Sequence, residues 1–411
     1  MLKKFLFLFF NNENDHPVAD VLTQTISVLK KNGHDIIYLD LYHSRTFREC
    51  LRNLFLGDKR QFGLVDRKGA LYFIPLLIPF ISRWYIGYII SIAVNIFFLH
   101  LYLSLFYPHL QKIIWVHYLF PSFFISFFPH SYTVLYDVFD YITFSDELTA
   151  KIIKEQRQYL LSRADFICCI SHALKKRMKL YTTKPITIVP QGFSAPQFLS
   201  KNCPDELKTL RSMKKPLIGF SGGISERLDE HLLFSLIKNN PQWQFVLLGP
   251  IIHEPYIMKK DMDRILSRLL TFSNVNHISR VTREKSYQII KQFDIGMIPY
   301  DVSQDFNRYC YPMKLFEYFY MGKPVISTPI EELKRFSKYV KIGWTAEEWE
   351  KHIQSLLAKP WSKAYQEKQR KLAITNSWEK KIDRIFQLIL YTQKNSKTDE
   401  IKKAEKNLIV P

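Results

Sequence analysis

The sequence predicts an α/β protein of two domains, each built on a parallel sheet, facing one another across a cleft. Three observations predict it. The chain has 411 residues, more than the roughly 100–200 of a single domain. In both halves, apolar runs of strand length alternate with helix-period stretches, the pattern of parallel strands joined by crossover helices. Between the halves, residues 199–215 carry Asn202, Pro204, Lys214 and Lys215 without a long apolar run, which reads as a linker. The expected division is an N-terminal domain over 1–198, the linker, and a C-terminal domain over 216–375. A closing helix over 376–394 and a basic, disordered tail over 395–411 complete it.

In the first half, residues 3–10 read as a buried strand. A helix follows over 18–31, with Val21, Leu22, Ile26 and Leu29 on one face and a stop at Asn32-Gly33. Residues 35–41 are the next strand. The short apolar run after Met1 is followed by Asn11-Asn12-Glu13-Asn14-Asp15 and not by a small-residue cleavage site, so a first strand is expected there and not a signal peptide. Residues 84–107 form 24 positions without a formal charge, long enough to span a bilayer. Gly87, Asn95 and His100 interrupt them, and α/β pattern continues on both sides. The expectation is a helix packed in the N-terminal domain, inside an apolar region over 70–107, with a greasy face on a membrane. Strands are expected at 112–117, 131–137, 164–170 and 186–189, with helices at 146–163 and 172–180, the second capped by Ser171.

In the second half, strands are expected at 217–220, 244–248, 276–278, 294–299 and 324–327. Helices are expected at 228–238, 284–293, 314–321, 347–357 and 378–391. Alternation this regular is that of a doubly wound sheet.

Composition narrows the partners. The net charge is +20, from 58 Lys and Arg against 38 Asp and Glu, which attracts polyanions. Zinc-finger spacing, an RNP-like aromatic motif and Arg-rich helix repeats are all missing, so nucleic acid is set aside in favour of an anionic membrane surface. The five Cys are odd in number and form no CxxC, the usage of a reduced, cytoplasmic protein. Glycine is scarce at 13, so a glycine pair is informative.

The segment richest in chemistry runs from Pro312-Met313-Lys314-Leu315-Phe316-Glu317-Tyr318 to Met321-Gly322-Lys323-Pro324-Val325. A helix starts there, and Lys314 and Glu317 share its face. Its N–H groups and dipole suit a diphosphate, Lys314 adds a cation, and Glu317 can accept from two vicinal hydroxyls. Taken alone, the pair reads first as a surface ion pair one turn apart. The segment, however, resembles the nucleotide-binding signature of GT-B glycosyltransferases, in the branch reading P-L-K-L-x-E-Y-L-A-x-G-K-P-V-V. Also similar are the glycine loop in Ile218-Gly219-Phe220-Ser221-Gly222-Gly223, the strand Phe245-Val246-Leu247-Leu248-Gly249-Pro250, and Asp294-Ile295-Gly296-Met297-Ile298-Pro299-Tyr300. Leu135-Tyr136-Asp137-Val138-Phe139-Asp140 and Ile188-Val189-Pro190-Gln191-Gly192-Phe193 match in the first half.

The resemblance implies a GT-B fold of two Rossmann-like domains. It implies that Gly222 and Gly223 let the backbone approach a donor diphosphate, that Lys314 holds phosphate and Glu317 the ribose, and that Tyr300 lines the base or sugar pocket. Arg227 is either a phosphate ligand or an exposed helix-start arginine. One position departs: retaining members carry a glutamate eight positions before Glu317, and here it is Tyr309. Asp137 and Asp140 sit at the cleft end of an N-domain strand, where a carboxylate could take the acceptor's proton; Asp140 could also cap a loop. Asp261-Met262-Asp263 has the form of a DxD metal motif but sits on a charged helix face, and His16 reads as structural. No metal or cofactor is expected, with helix dipoles and cations holding the diphosphate.

The expected function is transfer of a sugar from a nucleoside-diphosphate sugar to a lipid-linked or polysaccharide acceptor of the cell envelope, at the inner face of the cytoplasmic membrane. The rival is a GT-B-like scaffolding or membrane-associated protein without catalysis. A phosphorylase would need a lysine holding a cofactor, and no segment resembles that site.

Overall fold

The computed structural model describes residues 4–10, 20–41, 45–46, 63–67, 70–78, 84–117, 122–144, 146–196, 205–252 and 262–394. His16, Asp261 and the tail over 395–411, all singled out above, lie outside them.

The N-terminal half contains β1 (Phe5–Phe10), β2 (Asp35–Leu39), β3 (Arg45–Thr46), β4 (Gly63–Arg67), β5 (Ala70–Ile74), β6 (Leu76–Leu77), β7 (Gln111–Val116), β8 (Thr133–Val138), β9 (Phe166–Cys169) and β10 (Thr187–Ile188). Eight of these form one sheet in the order β10-β9-β8-β7-β1-β2-β5-β4, parallel except for the β4–β5 hairpin. Every residue of β1 is buried because both sheet faces are covered. Phe5, Phe7 and Phe9 face one side with Trp115, Leu135 and Cys168; Leu6, Leu8, Phe10 and Cys169 face the other. The adjacent cysteines thus point to opposite faces, as strand geometry requires.

The C-terminal half contains β11 (Leu217–Ser221), β12 (Gln244–Leu248), β13 (Val275–Ile278), β14 (Ile295–Ile298), β15 (Val325–Ser327) and β16 (Val340–Ile342). Their order is β13-β12-β11-β14-β15-β16, all parallel. The chain winds outward from β11 in both directions, so the connections diverge between β11 and β14. A crevice opens at the carboxyl ends of such a pair. In the first sheet the corresponding pair is β1 and β7.

Two helices carry information the sequence pattern held only partly. Helix Asp205–Ser212 occupies the middle of the expected linker, with Leu207 and Leu210 buried. Two apolar residues three apart form too short a pattern to separate from a loop. Helix Trp378–Lys394 leaves the second domain and packs on the first, placing Trp378, Ile382, Ile385, Phe386 and Ile389 against Phe5, Phe7, Val21 and Ile26.

Helix Tyr85–Phe106 is long and apolar enough to cross a membrane by length and composition. One stripe of it, Ile92, Ile96, Leu99 and Leu103, is buried in the N-terminal core at helical spacing. Polar residues stitch it down. The Asn95 amide accepts from Leu76 N at 2.9 Å and donates to Leu76 O at 2.7 Å. Ser91 Oγ accepts from Ile78 N, and His100 Nδ1 lies 3.1 Å from the Tyr132 hydroxyl. The interruptions Asn95 and His100 are therefore attachment points. The opposite stripe is exposed and apolar: Ile86, Ile90, Phe97, Phe98, Leu101 and Leu105.

Candidate active site

A cavity of about 410 Å³ lies between the domains. The N-terminal half lines it with Val21, Phe139, Asp140, Ile170 and Gln191, and the C-terminal half with the glycine turn, Arg227, Tyr300, Lys314 and Glu317 among others. Most of the C-terminal lining comes from the carboxyl edge of the second sheet, around the β11–β14 crevice.

The site is built outward from Tyr318. Its fully buried hydroxyl accepts from Ser221 N at 2.8 Å, and its single proton is shared between Gly219 O at 3.3 Å and Met297 O at 3.2 Å. One phenol thus fastens helix Lys314–Tyr320 to β11 and β14 together. Burial raises its pKa well above the usual tyrosine value, keeping it a neutral donor. Lys314 is four residues earlier, on the same helical face, and is carried onto the end of β11. Its Nζ donates to the Tyr300 hydroxyl at 2.7 Å and stands 3.8 Å over the Phe220 ring. Aromatic faces thus hold a cation that is only 8% exposed.

Gly222 makes room for that ammonium. Its φ is +130°, and a Cβ there would lie 2.8 Å from Lys314 Nζ. Gly249 closes the same turn at φ +143°, where a Cβ would meet Gly222 O at 2.0 Å. The turn is held by Gly222 N donating to Leu248 O at 2.8 Å. Lys314, Gly222, Gly223 and Tyr300 therefore form one cluster, and half-buried Glu317 lines the same cavity.

Arg227 lines the cavity but is pinned. Its Nε donates to Asn307 Oδ1 at 2.9 Å, and its guanidinium stacks 4.2 Å from the Tyr300 ring centre and 4.7 Å from that of Phe306. It is a half-buried turn residue, neither an exposed arginine nor a freely swinging one. Burial pushes the neighbouring Cys310 thiol up to about 11, so it is a neutral wall group.

The two aspartates separate. Asp140 lines the cavity. Asp137, expected beside it as a base, does not. Tyr136 and Val138 occupy one face of β8, so Asp137 points to the other, under helix Trp378–Lys394. There Lys381 Nζ lies 2.9 Å from its Oδ2 and donates to its Oδ1 and to Gln191 Oε1, each at 3.2 Å. His117 Nε2 is 3.5 Å away. Burial alone would raise the Asp137 pKa, but the Lys381 ammonium and His117 outweigh it and hold the group at about 2. Asp137 ties the returning helix to the first sheet.

Sequence reasoning missed Arg280 and Arg283, which bring two more cations to the cavity from the loop and helix start after β13. Their signal was Arg280-Val281-Thr282-Arg283 between an expected strand and helix, at the cleft end of a strand, with Thr282 capping the helix. Gln191 and Tyr311 also line the cavity unforeseen. Tyr309, where the resemblance would place a glutamate, packs against Tyr141 and the Arg177 guanidinium. Among the described residues, no three His, Cys, Asp or Glu side chains converge as a metal site. Asp263 lies on helix Met262–Leu269 and not at a strand end.

Comparison with known proteins fits this architecture. No family profile matches the chain. Over 241 residues it is 27% identical to TuaH of Bacillus subtilis (strain 168), a putative teichuronic acid biosynthesis glycosyltransferase. That stretch is 56% of this chain and 58% of the relative, so the chain spans less than two thirds of TuaH. Among solved structures, sucrose-phosphate synthase of Thermosynechococcus elongatus superposes with a TM-score of 0.66 at 14% identity, covering 94% of this chain and 98% of that one. HepE of Anabaena, in complex with UDP and glucose, gives 0.63 at 12% identity over 93% and 98%. A trehalose-6-phosphate protein of E. coli, bound with UDP-2-fluoro glucose, gives 0.62 at 13% over 99% and 100%. The chain has the GT-B fold.

Proposed function

We propose that the chain is a glycosyltransferase that uses a UDP-sugar and adds the sugar to a lipid-linked or polysaccharide acceptor of the cell envelope. The observation that carries this reading is the cluster of Gly222, Lys314 and Glu317 in one interdomain cavity with Arg280 and Arg283. UDP in the HepE and E. coli structures supports the choice of base, and TuaH supports an envelope polymer.

In this reading the diphosphate lies over the glycine turn, neutralised by Lys314, Arg280 and Arg283 without a metal. Glu317 accepts hydrogen bonds from the ribose hydroxyls. The acceptor oxygen attacks the anomeric carbon as the bond from that carbon to the diphosphate oxygen breaks, and UDP leaves. Asp140, on the opposite wall, takes the acceptor's proton. Exposed apolar residues of helix Tyr85–Phe106 rest on the inner leaflet of the cytoplasmic membrane, where a lipid-linked acceptor is at hand.

The test is calorimetric titration with UDP. Wild type binds; Lys314→Ala and Glu317→Ala stay folded and lose affinity by about 10- to 100-fold, the worth of a charge-assisted hydrogen bond. Unchanged affinity in both variants rejects the site. UDP binding without transfer to membrane extract, with or without a chelator, identifies a scaffold.

A further inference from the structure

A second cavity, of about 590 Å³, opens where helices Lys363–Thr375 and Trp378–Lys394 meet the segment 335–339. Its wall carries Arg335, Lys338, Lys368, Lys371 and Arg384, and no Asp or Glu. Lys368 and Lys371 stand three apart on one helical face. Among the described residues, only Arg335 of the five has a carboxylate partner, Glu332 at 2.9 Å. Tyr339 and Phe336 supply an aromatic part of the lining.

Lysines scattered on a solvated helix would need no explanation. These converge on a concavity, and Arg384 is half-buried in it, where among the described residues its hydrogen-bond partner is the Thr375 carbonyl at 3.3 Å. Burial lowers the pKa of that guanidinium. Like charges gathered in a low-dielectric recess focus a field that a bound anion relieves. The volume lies within the range of small-molecule pockets.

We propose that this cavity is a second anion site, separate from the interdomain cleft, that takes a ligand bearing at least two phosphate or carboxylate groups. Such a ligand draws on Arg335. The Glu332 partner of Arg335 also accepts from Ala173 N at 3.1 Å, in the N-terminal half, so occupancy acts on a contact between the domains.

The full chain, held at saturating UDP, is titrated by calorimetry with inorganic pyrophosphate and, separately, with hexagalacturonate. At least one binds with UDP present, and which one separates phosphate from carboxylate chemistry. In Lys368→Gln/Lys371→Gln, two changes on an exposed helix face, that affinity falls about tenfold or more while the UDP isotherm is unchanged. The proposal is overturned by no heat with either probe, by competition with UDP, or by a variant that binds as wild type does. If UDP itself does not bind, the donor reading alone fails, and the comparison of the variant with wild type still scores this site.

Discussion

Removal of the Tyr318 hydroxyl would leave the Ser221 amide without an acceptor inside a closed core. An orphaned buried donor costs about 1–3 kcal/mol, so Tyr318→Phe should lower Tm. It should also weaken UDP binding, because the same bond holds Lys314 over the glycine turn. A variant with reduced Tm but unaltered UDP affinity would separate the two effects. Asp137 gives a pH prediction. Its folded pKa, about 2, lies below the ordinary 3.8, so its contribution is complete above that ordinary value and is lost as pH falls toward 2. The size is about 2 kcal/mol, from a difference near 2 pKa units. Urea unfolding should show wild type well above Asp137→Asn at pH 7, with the gap shrinking by pH 3. Asp137 also shows where residue-level reading stopped. The strand end that favoured a cleft role was correctly located, but side-chain direction along a strand alternates, and only the returning helix decides which face is closed. Lys314 and Glu317 were legible because their helix start is local; Arg280 and Arg283 were not, because nothing near them in sequence names the cavity.

Helix Tyr85–Phe106 buries one stripe and exposes another, so its two faces predict different failures. Ile96→Ala, inside the core, should cost about 2–5 kcal/mol and be seen in chemical denaturation. Phe98→Asp/Leu105→Asp, on the outer stripe, should leave unfolding unchanged and reduce flotation with anionic liposomes by about tenfold or more, since each apolar side chain buried is worth roughly 1.5–3 kcal/mol. Equal flotation would dismiss the membrane role of this face. The hydrophobic pattern predicted this helix but not its partner strands. The hairpin β4–β5 and the short β16 escaped notice because strands of three to five residues without strict alternation carry little periodic signal.

At the scale of the whole molecule, a ligand that bridges two domains stabilises both. UDP at 100 times its Kd should add about 2.7 kcal/mol to stability, visible as a rise of several degrees in Tm that Lys314→Ala reduces. The order of strands was legible through most of the second half, β11 to β15, where helical segments separate the strands. It was less so in the first, where an apolar stretch of mixed strand and helix runs through 70–107 and only the helix could be drawn from pattern alone.

Helix Trp378–Lys394 has a bearing on how the polypeptide is made. It supplies part of the hydrophobic lining beneath β1, a strand that leaves the ribosome long before it. Until this helix has been translated, Phe5, Phe7 and Trp115 lack part of their cover, and Asp137 lacks its counter-ion. The half made earlier is thus completed only after the second domain has been made, with its aromatic surface open to chaperones until then.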